Sequence, residues 1–484
     1  MKRYWWVATL LTLGASSCTD QEASIGEVEL ERRPNILLII GDDMGVETLS
    51  SYGIGDTHPT TATLDEIARE GVKFDNFWSQ PVCSPTRATM LTGRYGFRTG
   101  IGRPVNGDQG EWPAPPEKPS WAPYEATGAM GGGGNRAPTV GLPSTEYTLP
   151  MAFKDNADLG YSTAAIGKWH LADRHNGWER HPIEVGFDAF SGSLKGSVPS
   201  FFAWTKLANG QISGTTEYPA TDKIGDAIAW IGNQDDRPWF LWFSFNLPHT
   251  PVHLPPEDLW QVDHSDLGSN ADPTANPSQY FSAMIEAMDT AIGRLLDSLE
   301  PEVRDNTYVI FMGDNGTDSD VVSEPYEVGR AKGTVYQGGV HVPLIITGPG
   351  VERGSTVQHL VNSTDLFSTI LEMAGIDVAA TVPANVTLDS VSFFPYLSEV
   401  SARSRREWIY TDVFPGNFDG VEEADFALRN SRYKFLRHRG NEELYDLHED
   451  PFEHNNLLDG ELSDVRISEY QSLRAQAIAL RETN

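Results

Sequence analysis

Cysteine is nearly absent from this chain: 484 residues hold two, Cys18 and Cys83. A disulfide framework is therefore excluded, and if Cys18 is processed or modified, Cys83 has no partner. Positive charge is scarce as well, with 36 Lys+Arg against 68 Asp+Glu and a formal net charge of -32. Such a surface opposes nucleic acid and anionic membranes as partners. It does not oppose a small anionic substrate, because a few converging Lys and Arg residues set the field of a single pocket. Long apolar runs are the third absence. The run at residues 4–13 is too short for a stable membrane span, and nothing comparable follows it. No repeat unit is evident, and the length suits one large domain with a smaller one.

What is present begins with an export signal over residues 1–18: Lys2 and Arg3, the apolar run, then small residues ahead of Cys18. The stretch LGASSC resembles a bacterial lipoprotein cleavage site. The expected location is the periplasm or cell surface, with a lipid anchor at Cys18 or simple cleavage and release as the two alternatives. Oxidising compartments favour paired cysteines, so a leftover Cys83 calls for a chemical explanation. Residues 19–33 are polar and acidic and read as a tether.

From residue 34 to 399, short apolar runs alternate with helical patterns. Residues 35–40 (NILLII), 72–77, 162–166, 239–245, 308–312 and 342–347 read as strands, the first as one buried on both faces of a parallel sheet. Helices are expected at 279–299 and 364–374, and a capping box of Thr63 with Glu66 predicts another ending at Gly71. The alternation argues for an α/β domain around a large, mainly parallel sheet flanked by helices. Residues 103–144 interrupt it as a Gly/Pro-rich insertion or lid. Residues 400–484 change character again, and short runs at 408–413, 425–428, 433–437 and 444–446 predict a smaller C-terminal antiparallel sheet subdomain.

Ligands of open parallel sheets bind beyond the carboxyl ends of the strands. Polar clusters fall at those places: GDDMG with Asp42 and Asp43, GKWH with Lys168 and His170, PHTPVH with His249 and His253, and GDNG with Asp314 and Asn315. Two sets of carboxylate and amide oxygens make a site for a hard cation, calcium or magnesium rather than zinc. Cys83 opens CSPTRATMLTGRYG, in which Ser84 suits an N-cap, Pro85 the first helical position and Gly93 the stop. Residue 83 then lies beside a helix N-terminus, one turn from Arg87, where an anion is favoured. A thiolate nucleophile and a buried structural cysteine both remain open on these residues alone.

CSPTRATMLTG resembles the signature of the formylglycine-dependent sulfatases, the arylsulfatase family with an alkaline-phosphatase-like fold. The likeness continues through RPNILLIIGDDMG, GKWH, LPHTP, GDNG, KGTVYQGGVHVP and ELYDLHEDPFEHNNL. It implies a sulfuric ester hydrolase whose Cys83, oxidised to formylglycine by a maturation enzyme, is the nucleophile. Asp42, Asp43, Cys83, Asp314 and Asn315 would hold Ca2+ or Mg2+. Arg87 would steady the hydrated aldehyde, Lys168 and Lys332 would bind sulfate oxygens, His249 would be the acid for the leaving alcohol and His170 the base that frees sulfate. The implied substrate is a sulfated small molecule or oligosaccharide. His175, His181 and His253 match no position of the pattern and read as structural or substrate-facing, while Trp169 and Trp178 suit ring stacking or core packing. Gln337 and His341 stand where the family commonly has Glu and Arg, which bears on loop support or substrate choice. The rival readings are a formylglycine phosphonate or phosphodiester hydrolase of the same fold and a non-catalytic surface protein that binds sulfated glycans.

Overall fold

The computed structural model describes residues 32–106, 113–126, 139–268 and 271–483. The export signal, Cys18 and nearly all of the tether lie outside the described residues, as do two stretches of the 103–144 insertion. Ten strands form the main sheet: β1 Asn35–Gly41, β2 Val72–Phe74, β3 Ser162–Lys168, β4 Ala189–Ser193, β5 Trp204–Ala208, β6 Gln211–Thr215, β7 Trp239–Ser244, β8 Thr307–Gly313, β9 Leu344–Thr347 and β10 Ser355–Val357. Their spatial order is β10-β2-β9-β8-β1-β7-β3-β4-β5-β6. Five neighbours, β8-β1-β7-β3-β4, run parallel; β9 on one flank and β5 on the other pair with them antiparallel, and β2 and β10 at the far edge are parallel to each other.

The reason β1 lies near the centre is written in NILLII. Alternate side chains of a strand face opposite sides. Ile36, Leu38 and Ile40 enter one buried apolar cluster, and Leu37 and Ile39 enter the one on the other face. At roughly 1.5–3 kcal/mol for each fully buried aliphatic side chain, register at this strand is strongly fixed.

The helices that cover the sheet include α1 Ala62–Glu70, α2 Cys83–Thr92, α3 Pro219–Gly232, α4 Pro277–Asp297 and α5 Asp365–Met373. The capping box expected at Thr63 and Glu66 is not what starts α1. The cap residue is Thr61, without a side-chain bond, and the Thr63 and Leu64 amides donate instead to the Asp289 carboxylate of α4 at 2.9 and 2.8 Å. A tertiary carboxylate has taken the place of a local one. The run at 72–77 also divides: residues 72–74 join the main sheet, while Phe77 and Trp78 pair with Val361 and Asn362.

A separate antiparallel sheet follows, with β11 Ile409–Val413, β12 Asp425–Arg429, β13 Tyr433–His438 and β14 Asn441–Asp446 in consecutive order, backed by α6 Asp464–Glu482. Its first strand is tied to the segment before Cys83: Thr411 Oγ1 donates to the Ser79 carbonyl at 3.2 Å, and the Asp412 amide donates to Gln80 Oε1 at 3.1 Å. Among the described residues no helix is long and apolar enough to cross a membrane.

Candidate active site

The carboxyl ends of β1, β3, β7 and β8 converge, and each delivers the polar cluster that follows it. Asp43 leaves β1 in a left-handed conformation (φ 73°), as does His170 after β3 (φ 61°). Such backbones are uncommon outside glycine and collect at functional sites. Ligand atoms of Asp42, Asp43, Cys83 and His249 all lie within 4.8 Å of one another.

Around this centre the charges interlock. Lys168 Nζ donates to both oxygens of Asp42, at 2.8 and 2.6 Å, and Lys332 Nζ donates to Asp43 Oδ2 at 2.6 Å. Arg87, fully buried, spans the floor from α2: one Nη reaches the Lys168 carbonyl at 2.8 Å and Ser244 Oγ at 2.5 Å, and the other pairs with Asp314 Oδ2 at 2.8 Å. Asp314 Oδ1 accepts the Asp43 amide at 3.1 Å, and Asn315 Nδ2 donates to Asp43 Oδ1 at 2.8 Å. Asn315 Oδ1 is buried with no partner.

Burial pushes Asp42 up to about 8, with Lys168 pulling it down and Asp314 and Asp43 pushing it further up. Burial also works against Asp43, but Lys332, His249 and Lys168 together hold it well below the usual carboxylate range. The same burial pushes the Cys83 thiol up to about 12, against the pull of Lys168.

His249 is brought down to about 4 by burial, against the pull of Asp43. Its Nδ1 lies 3.0 Å from the Thr250 carbonyl oxygen and its Nε2 lies 3.8 Å from Asp43 Oδ2. Nε2 therefore faces the charged centre. His170 is also held well below its ordinary value, by burial first and Lys168 second, and its buried Nδ1 has no partner.

The donor set fits a hard cation. It combines the buried carboxylate oxygens of Asp42, Asp43 and Asp314 with an orphaned amide oxygen at Asn315. The structure thus gathers the catalytic and metal-binding candidates named from the sequence. His253 and His181 are structural: His253 is fully buried, with Nε2 at 2.9 Å from the Tyr218 hydroxyl, and His181 accepts the Trp169 indole N–H at 2.9 Å. Trp169 is buried and packs in the core.

Ser84 corrects the sequence reading. The helix begins at Cys83 with Val82 as its uncapped N-cap, and Ser84 Oγ instead donates to the His170 carbonyl at 2.8 Å and accepts the Val105 amide at 2.9 Å. Gly93 does end the helix, in the left-handed conformation expected of it. Three further residues escaped notice. Ser244 holds Arg87, while Lys223 of α3 donates to Asn246, which also accepts from Ser193 Oγ at 3.3 Å. Asn246 adjoins LPHTP and was within reach of a motif argument. Lys223 looks like any lysine of an exposed helix face, and only the fold shows it buried.

Residues 34–376 match the family model for sulfatases, and residues 330–478 match the model for the C-terminal region of N-sulphoglucosamine sulphohydrolase. The chain is 30% identical to human N-acetylgalactosamine-6-sulfatase over 408 residues, covering 78% of this chain and 68% of that protein. It is 27% identical to human arylsulfatase A over 490 residues, covering 89% and 84%. Among solved structures, Ps i-CgsB in complex with k-i-k-neocarrahexaose superposes with a TM-score of 0.72 at 22% identity, covering 93% of each chain. The PsFucS1 sulfatase from Pseudoalteromonas sp. gives 0.67 at 24% identity, covering 94% of this chain and 92% of that one. With the family model spanning most of the length, the buried cluster of charges in place and the alkaline-phosphatase-like sheet beneath it, the chain belongs to the sulfatase family and hydrolyses sulfate esters.

Proposed function

We propose that the substrate is a sulfated carbohydrate, cleaved to the alcohol and inorganic sulfate at a calcium-bearing centre by the hydrated formylglycine form of residue 83. The observation that carries this reading is the buried ring of Lys168, Lys332, Arg87, Asp42, Asp43 and Asp314 around Cys83. A binding module needs no such assembly. The relatives' names support a carbohydrate, since one is named for N-acetylgalactosamine 6-sulfate and a solved structure holds k-i-k-neocarrahexaose.

Asp42, Asp43, Asp314, Asn315 and residue 83 would hold the cation, which supplies positive charge to the oxygens that gain negative charge during sulfate transfer. The geminal diol offers one hydroxyl to attack sulfur and a second to expel sulfate by C–O cleavage. Cys83 Sγ marks where the attacking oxygen starts, and Arg87 is fixed by Asp314 and Ser244 on the same floor. Lys168 and Lys332 each carry three N–H donors and record acceptors on a single Asp, so donors remain for sulfate oxygens. His249 Nε2, which faces the centre, takes up a proton as the anionic ester enters and delivers it to the leaving oxygen. Neutral His170 accepts the proton from residue 83 when sulfate is released. Export with a lipid anchor at Cys18, and maturation by a formylglycine-generating enzyme, belong to the same proposal.

Mass spectrometry of the peptide containing residue 83, from protein made in its native host, tests the nucleophile. Formylglycine, with aryl sulfate and sulfated sugar turnover lost on Cys83→Ala, is the expected result. An unmodified cysteine, undiminished activity in Cys83→Ala, or faster turnover of a phosphonate ester than of any sulfate ester overturns it.

A further inference from the structure

The segment that follows β4 has two faces. On one, the carbonyls of Ser193 and Leu194 accept the amides of Trp169 at 2.9 Å and His170 at 3.0 Å. Gly196 lies so close to the His170 ring that a Cβ there would collide with its Cε1. On the other face, residues 193–199 wall a cavity of about 320 Å³, which is closed by residues 113–115 and Thr205. That volume falls at the small end of ligand pockets, roughly 300–1,000 Å³. Thr205 Oγ1 donates to the Pro113 carbonyl at 3.0 Å and fixes the wall supplied by the insertion. A single run of backbone therefore separates the cavity from His170. A larger cavity of about 570 Å³ opens at Thr307, where β8 begins, at the opposite end of the sheet from the chemistry.

Lys195 lines the smaller cavity and is half-buried. Every other described lysine has a carboxylate within 4.0 Å or, at Lys223, the amide oxygen of Asn246. Among the described residues Lys195 has neither, in a chain whose net charge is -32. Solvated surface lysines are common. One that is partly desolvated, unpaired amid excess acid and set in a cavity one residue from a histidine-bearing floor is not of that kind. Burial alone lowers its affinity for a proton, as expected where no acid compensates. Of the remaining lining, Pro113, Pro115, Leu194, Val198 and Pro199 are apolar and suit the C–H face of a sugar ring, while Ser193, Ser197 and Thr205 add hydroxyls.

We infer that this cavity is a subsite for the sugar unit adjoining the sulfated one, and that Lys195 recognises a carboxylate or a second sulfate on that unit. The inference rests on the carbohydrate sulfatase reading above and deepens it: the substrate is a polyanionic oligosaccharide rather than an isolated monosulfated sugar. An ammonium is a point charge with three donors and accepts either anion, whereas a planar guanidinium would favour bidentate geometry.

The matured enzyme is assayed on oligosaccharides with the same sulfated terminal sugar joined to a uronic acid, to a sulfated hexose or to a neutral hexose. The expected result is a kcat/KM higher by about tenfold for one or both charged forms, carried by KM, that collapses to near parity in Lys195→Met and survives in Lys195→Arg. Whichever charged form is preferred identifies the anion. Equal rates on all three, or a preference that Lys195→Met leaves intact, overturns the subsite while leaving sulfate ester hydrolysis standing. Calorimetry on Cys83→Ala separates the two claims from the other side. If the matured wild type hydrolyses no sulfate ester but Cys83→Ala still binds the charged oligosaccharides through Lys195, the functional reading fails and the subsite holds.

Discussion

At the carboxyl ends of the parallel strands, Asp42, Asp43 and Asp314 meet Lys168, Lys332 and Arg87; beneath the C-terminal sheet, Lys434 meets Glu453 beside the indole of Trp78. Both groups are buried, yet their polar atoms are used differently. In the second, Glu453 pairs with the Lys434 ammonium at 2.6 Å on one oxygen and takes the Gln337 amide at 2.5 Å on the other. Lys434 lies 4.7 Å from the Trp78 ring centre, and the Trp78 N–H is held by Gln337 Oε1 at 2.7 Å. The Lys434 ammonium and the Glu453 carboxylate thus serve each other as counter-ions. In the first, Asn315 Oδ1 and His170 Nδ1 have neither a hydrogen bond nor an ion pair. A structural cluster is closed by its own residues, whereas a reactive one leaves positions for what it will bind.

Neutralising one carboxylate in each group breaks the comparison most sharply. Asp42→Asn is expected to lower kcat/KM on an aryl sulfate by on the order of 10⁴-fold. It is also expected to abolish the rise in Tm that the proposed calcium site predicts for the wild type, about 2.7 kcal/mol of stabilisation at a hundredfold excess over Kd. A calcium response that survives in Asp42→Asn would place the cation elsewhere. Glu453→Gln is expected to do the reverse. Leaving Lys434 buried without its partner costs about 3 to 5 kcal/mol of unfolding free energy. The calcium response and the rate per folded molecule persist. Unchanged denaturant stability in Glu453→Gln would show the second group to be no keystone.

The same contrast explains what the sequence could disclose. Runs such as NILLII are local in the chain, and the clusters at Asp42, Lys168, His249 and Asp314 follow their strands closely, so they are legible from period and position, whereas Lys332 is reached only through the family resemblance. Relationships made only by folding were not. Asp289 caps a helix more than two hundred residues away in the chain, and Ser84 turns from the helix it was expected to cap toward His170. The flanking strands β5 and β6 carry no continuous apolar run, and Gln211–Thr215 is exposed or half-exposed along its whole length. The insertion stayed opaque for the same reason. Its composition says loop, yet Glu125 and Ala126 pair with Val252 and His253, just past His249, and the Val105 amide meets Ser84 beside Cys83. A rim is defined by what it touches, and those contacts leave no periodic signature.

The smallest effect concerns a carboxyl of the C-terminal sheet that lacks the closure Glu453 enjoys. Asp412 is fully buried on β11, with Oδ1 unpartnered and Oδ2 taking the Tyr410 hydroxyl at 3.2 Å, while Arg481 stands 3.6 Å away. Burial pushes it up to about 6, with Arg481 pulling the other way, from an ordinary value of 3.8. The folded state thus holds this proton more tightly than the unfolded chain does. The stabilisation it brings is complete below pH 3.8 and is lost as the pH rises through about 6. An amide at this position cannot ionise, so Asp412→Asn should gain on the wild type by about 2 kcal/mol between pH 4 and pH 7 in urea unfolding. A difference that stays flat across that window would mean that Arg481 and Tyr410 already close the group as fully as Lys434 closes Glu453.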